Sequence, residues 1–230
     1  MPLRRRLGGG GGAGTAWAAL AGVPASAGME YCITQASNPP GNIGYMLSAR
    51  ALWLGNRTEW SWNPTPGGAG IARFPERAAY QGATPLSISG EIETKHLMLR
   101  TSYSVFLVYA LAGNHSGLDG EHRSVIQSVP FPHVNFQASP ERGVRLVVGA
   151  LAPDGGAAEP DVMSYPVERG DGTMEVELGW FHVSPDAGHG QGRPHAVIAQ
   201  LTITSAGGDP VRGLIVEGME FRPMNFVDPI

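Results

Sequence analysis

The chain has 230 residues with a formal net charge of −4, and its single cysteine rules out an internal disulfide. Charged residues make up 16% and hydrophobic residues 42%, against the roughly one-quarter charged of an ordinary globular domain, while Gly 33 and Pro 19 signal many turns. The lone lysine, Lys95, and scattered arginines form no basic footprint for nucleic acid, and no apolar run reaches the roughly 20 residues of a transmembrane helix.

Residues 1 to 43 read as a low-complexity tail. Arg4, Arg5 and Arg6 precede a glycine run and Ala-rich sequence, which fits either a disordered segment or the outline of a targeting peptide. The tail closes on the turn former Asn38-Pro39-Pro40-Gly41. A folded domain is expected from residue 44 to 224, followed by a short tail at 225–230.

Three of the five tryptophans, Trp53, Trp60 and Trp62, fall within ten residues, interleaved with Asn56, Arg57, Glu59 and Asn63. A pyranose stacks its C–H face on a flat aromatic ring while its hydroxyls need donors and acceptors close by. This mixture therefore makes Trp60, Trp53, Trp62, Asn56 and Glu59 candidate carbohydrate-binding residues. Trp60 and Trp62 also point the same way in a strand, so a core role competes with a ligand role.

A single helical turn is expected at 72–81. Leu86 to Ile92 alternates apolar and polar residues as a half-buried strand does, and Ser102 to Leu111 reads as a central strand covered on both faces. Residues 111–142 are rich in His, Gly, Ser and Pro and read as a long loop, followed by a short apolar strand at 144–151. After a loop at 153–172, Met174, Val176, Leu178 and Trp180 share one strand face, with Glu175 and Glu177 on an opposite, solvent-facing side. A loop at 185–194 leads to a strand lined by Val197, Ala199, Leu201 and Ile203, and a last strand runs over 213–222. Six to eight short strands separated by turns indicate an all-β antiparallel sandwich or barrel with long loops.

Catalytic signatures are missing. There is no Gly-x-Ser-x-Gly, no His-Glu-x-x-His and no phosphate-binding Gly-Lys-Ser/Thr, and Glu175 with Glu177 reads as exposed acids rather than a glycosidase pair. His189 and His195 lie in a Gly-rich loop and read as solvated rather than as metal ligands. No catalytic residue, metal or cofactor is expected.

Tyr45-Met-Leu-Ser-Ala-Arg-Ala-Leu52 resembles the entry motif of phloem protein 2-type (Nictaba-like) lectin domains. Glu59-Trp60-Ser61-Trp62, Ala72-Arg73-Phe74-Pro75-Glu76, Ile88-Ser89-Gly90-Glu91-Ile92, Thr101 to Leu111, Arg169 to Phe181 and Arg212 to Pro223 are similar to further family motifs, in the family's order. The resemblance implies a jelly-roll β-sandwich, binding of N-acetylglucosamine oligomers or the N-glycan core of glycoproteins, and a plant nucleocytoplasmic protein. It transfers sugar binding most directly to Trp60. Trp53 has the family's seven-residue spacing from Trp60, but Leu54-Gly55-Asn56 aligns equally with the family's Trp-Gly-Asp and would leave Leu54 at that position. The family's tryptophan in the segment matching Tyr80 to Leu86 is absent, and residues 1–43 show no F-box pattern. The competing reading is a protein-interaction or substrate-recognition module, related to F-box and ubiquitin-ligase components, that has lost sugar binding. Neither reading involves nucleic acid or membrane, and a homodimer would add avidity to weak single sites.

Overall fold

The computed structural model describes the strand backbones at 17–19 and 31–35 and residues 43–66, 73–82, 85–133, 135–149, 163–184, 192, 194–205 and 209–224. Of the expected tails and loops, 1–16, 20–30, 36–42, 153–162, 185–191, 193 and 225–230 lie outside the described residues.

The strands in chain order are β1 (Trp17–Ala19), β2 (Tyr31–Gln35), β3 (Ile43–Ser48), β4 (Trp53–Leu54), β5 (Trp60–Pro64), β6 (Glu76–Tyr80), β7 (Leu86–Glu93) and β8 (Thr101–Ser116). They continue with β9 (His122–Val129), β10 (Phe136–Ala138), β11 (Arg142–Val144), β12 (Met163–Ser164), β13 (Val167–Glu168), β14 (Met174–Val183), β15 (Ala196–Ile203) and β16 (Arg212–Pro223). One sheet runs β1-β2-β3-β16-β8-β14-β10, with β13 against β14 and the β5–β6 pair attached to β16. The other runs β12-β11-β9-β15-β7-β4. Pairing is antiparallel apart from the short parallel contact of β11 with β12. The protein is all-β, with both sheets contributing to one core.

The core sits between the inner faces. Leu107, Tyr109, Val176, Phe181, Leu214 and Phe221 come from the first sheet; Ile88, Ile92, Val197, Ala199, Leu201 and Ile203 come from the second. Phe181 anchors the aromatic part, stacked on Tyr103 at 5.6 Å between centroids and edge-on to Phe221 at 6.3 Å. Tyr109 is fully buried because its hydroxyl donates to the Leu146 carbonyl at 2.6 Å, which removes the cost of desolvating that group. At Gly90 the two sheets approach closely, since a Cβ there would meet Met219 Sδ at 2.6 Å.

Strands are present where the sequence placed them at β7, β8, β15 and β16, and β7 and β15 turn their alternating apolar residues inward. Other expectations are corrected. The helical turn at 72–81 is instead β6, because β5 and β16 flank it and both supply ladder partners, Ser61 and Ile215 opposite Ala79. Its short local pattern yields to these two neighbours. Residues 111–142 are not one long loop: β8 runs on to Ser116, and β9 buries His122, Ser124, Ile126 and Ser128 on its inner face. Three of those four are polar, so the inward face left no hydrophobic period to read. The strand at 144–151 ends at Val144, after which Leu146 plugs the core and Val147 packs against it.

The alternation across β14 breaks at a bulge between Glu177 and Gly179, where Gly179 takes φ 142°. Downstream of it the inward residues are Phe181 and Val183, and Trp180 leaves the face it was expected to share with Val176 and Leu178. Glu175 and Glu177 are not simple solvent-facing acids either. Glu175 accepts from Arg169 at 2.7 Å and Arg222 at 2.8 Å, and Glu177 pairs with Arg142 at 3.4 Å. Burial by itself raises the Glu175 carboxyl, but the hydrogen bond and charge of Arg222, aided by Arg169 and Arg73, hold it below the usual carboxylate range.

Candidate functional site

The tryptophan segment wraps one end of the sandwich. After β3 the chain makes a tight turn through Ala49–Ala51 and enters β4, which pairs with β7 through Trp53 opposite Ser89 and Leu54 opposite Ile88. Adjacent residues on a strand face opposite ways, so Leu54 turns into the core at 4% exposure and Trp53 turns outward at 53%. Asn56 then adopts the left-handed conformation, φ 55° and ψ 52°, which Asn tolerates better than most residues. That reversal, followed by the turn at Arg57–Glu59, brings β5 back past β4.

Trp60 is buried, at 8% exposure. Its Nε1 donates to the Gly55 carbonyl at 2.8 Å, and its ring lies 5.0 Å from that of Tyr80 in a tilted contact. The indole is therefore a clamp that fastens β5 to the 55–57 reversal, and only part of it reaches the surface. Glu59 accepts a 2.6 Å hydrogen bond from the Tyr80 hydroxyl. Gly82 sits against this pair, and a Cβ there would meet Glu59 Oε2 at 2.1 Å. Asn56 is exposed and its Nδ2 donates to the Pro85 carbonyl at 3.3 Å.

Trp62 is half-buried, and the Arg50 guanidinium lies 3.7 Å from its ring centroid. Arg50 is fixed from its other side by Glu76, whose Oε2 accepts from Nε at 3.0 Å and Nη2 at 2.8 Å. Between these groups lies an open cleft of about 290 Å³, lined by Arg50, Leu52, Leu54, Arg57, Trp60 and Trp62. This is near the lower end of ligand-site volumes, roughly 300–1,000 Å³. It seats one ring or one to two side chains at a time.

Of the sequence-selected residues, Trp60 and Trp62 line the cleft. Trp53 presents its ring to solvent outside that lining, while Asn56 and Glu59 brace the reversal and β6. Sequence reasoning missed Arg50, Leu52, Leu54 and Arg57 as a set. Arg50 reaches Trp62 across twelve residues and Glu76 across twenty-six, separations with no period of their own. The signal available was local: an arginine in the entry motif just ahead of an aromatic segment.

Among the described residues, no group of three or more His, Cys, Asp or Glu side chains is gathered to hold a metal, and no helix is long and apolar enough to cross a membrane. His195 is exposed, and His189 lies outside the described residues.

The profile of the phloem protein 2 family matches residues 42–223. The chain belongs to that family. It is 28% identical over 200 residues to F-box protein PP2-B15 of Arabidopsis thaliana, covering 80% of this chain and 65% of the relative. F-box protein VBF of the same plant is 26% identical over 206 residues, covering 80% and 67%. F-box protein SKIP3 is 27% identical over 187 residues, covering 80% and 58%. The chain thus spans about three-fifths to two-thirds of the length of these curated relatives. At such identities the comparison supports a shared phloem protein 2 domain and leaves individual site residues to the geometry.

Proposed function

We propose that this phloem protein 2 domain is a non-catalytic recognition module whose ligand is a protein, bound at the cleft between Arg50, Leu54, Arg57 and Trp62. The observation that carries this reading is the chemistry of the cleft. Its floor is apolar, its two polar liners are both arginines, and the indole that the sugar reading needs as an open seat, Trp60, is engaged in the fold. Aromatic and arginine side chains around a desolvated floor are the composition of protein-binding hot spots. The relatives' names add support, since each contains the term F-box. In a longer protein of that kind, this domain would select the partner while another part of the chain connects to a ubiquitin ligase.

A second reading, binding of N-acetylglucosamine oligomers or N-glycan cores, is favoured by one observation: the Trp53 indole is 53% exposed and available for stacking. The two readings separate in one experiment. The full chain is immobilised and its captured proteins are identified with and without excess chitin oligomers, for wild type, Trp62→Ala and Trp53→Ala. The protein reading expects partners that survive chitin oligomers and are lost with Trp62→Ala. Partners displaced by the oligomers and lost with Trp53→Ala would establish the sugar reading in its place.

A further inference from the structure

We propose that the cleft selects a single carboxylate placed beside an apolar side chain, so that its protein ligand is an acidic-apolar peptide segment. This rests on the protein-recognition reading and specifies its ligand chemistry.

Charge sets the first constraint. Arg50 and Arg57 both line the cleft, and Glu76 neutralises one of them. Glu59, the other nearby acid, is engaged by the Tyr80 hydroxyl and does not line it. Arg57 is exposed and forms no ion pair with a described residue. One positive charge is left to be matched, which suits a monoanion. A phosphate, close to a dianion at neutral pH, would bring excess negative charge beside Glu76. A neutral sugar would leave the charge unmatched.

Geometry sets the second constraint. Glu76 takes Nε and Nη2 of Arg50 through one oxygen, and Trp62 covers a face of the guanidinium. Nη1 of Arg50 has no partner among the described residues, so its donors are held in place before any ligand arrives. Ordering a guanidinium in advance removes much of the entropy that binding would otherwise lose. Arg57, on the turn after the reversal, supplies a second donor set at the same cleft. The floor is Leu52, Leu54 and Trp60, at 6%, 4% and 8% exposure. An incoming carboxylate meets arginine while its neighbour on the peptide covers this floor. The volume of about 290 Å³ limits the pair to roughly two side chains.

The test uses the full chain and an array of short synthetic peptides with degenerate flanks and a fixed central pair: Leu-Glu, Phe-Asp, Leu-Gln, Leu-phosphoserine or Ala-Glu. Retention of Leu-Glu and Phe-Asp is expected to exceed Leu-Gln by about tenfold, the factor one charge-assisted hydrogen bond supplies. Arg57→Ala, at an exposed turn position and checked by thermal melting, should remove that preference. Raising the salt concentration should weaken it. Equal retention of Leu-Gln and Leu-Glu, a preference for phosphoserine, or an acid preference unchanged by Arg57→Ala overturns this inference and leaves protein recognition standing. If wild type retains none of the peptides but retains neutral or acidic glycans on a parallel array, the protein reading falls and this inference falls with it.

Discussion

Trp60→Ala tests whether the most conspicuous residue of the cleft belongs mainly to the fold. The substitution removes an indole that is 8% exposed, a 2.8 Å hydrogen bond to the Gly55 carbonyl and a 5.0 Å ring contact with Tyr80. Truncation of a buried tryptophan costs about 3–5 kcal/mol. Within that total, the lost hydrogen bond accounts for about 1 kcal/mol and the ring pair for about 0.5–1.5 kcal/mol. The remainder is apolar burial and the cavity. In a domain whose whole stability is about 5–15 kcal/mol, this is a large fraction. Trp53→Ala removes a ring that is 53% exposed and should cost about 1 kcal/mol or less. Guanidinium denaturation followed by far-ultraviolet circular dichroism measures both. Trp60→Phe should fall between them, since it keeps most of the burial but leaves the Gly55 carbonyl without its donor. Equal losses for Trp60→Ala and Trp53→Ala would refute the assignment of Trp60 to the fold. The result also governs how binding data are read, because a ligand lost with Trp60→Ala would report unfolding as readily as a missing contact.

Gly90→Ala should destabilise by about 1–3 kcal/mol in the same assay, because its Cβ would overpack the gap against Met219 and Leu52. Glu220→Ala should cost about 1–3 kcal/mol, since its nearly buried carboxylate accepts from Arg169 at 3.2 Å and Arg222 at 3.0 Å, while Glu175 still pairs with both guanidinium groups after its loss. Burial pushes the His122 imidazole below its ordinary pKa, only partly offset by its bond to the Leu118 carbonyl. A depressed histidine pKa means that the unfolded chain takes up a proton the fold resists. Stability should therefore be flat above about pH 6.5 and fall as the pH drops below it. His122→Leu should flatten that fall in denaturation curves taken from pH 8 to pH 5, whatever its offset at pH 8; an unchanged slope would remove His122 as the cause.

Strand identity was legible wherever one face is apolar and the other polar. Leu86 to Ile92 and Val197 to Ile203 pair with each other in one sheet, and their alternating residues point into the core as the period of two requires. The strand from Ser102 was legible for the complementary reason: its inner face joins the main core while Val108 on the other face clusters with Met46 and Phe74, so it reads as a continuous apolar run. β9 was hidden because a polar inward set can be satisfied inside the sandwich, as when Ser124 donates to the Leu178 carbonyl at 2.6 Å. β6 was hidden because its strand state depends on two partners remote in sequence.

What the sequence alone determined was the family, the all-β class and the segment that carries the cleft, since these depend on residue type and order over short distances. Only the tertiary structure decided the role of each tryptophan. One residue of register on β4 sends Trp53 to solvent and Leu54 to the core, and a left-handed turn at Asn56 folds Trp60 back onto Gly55. Arg50, Trp62 and Glu76 meet because β3, β5 and β6 are brought together through β16, and side-chain chemistry at those separations is set by packing rather than by any local pattern.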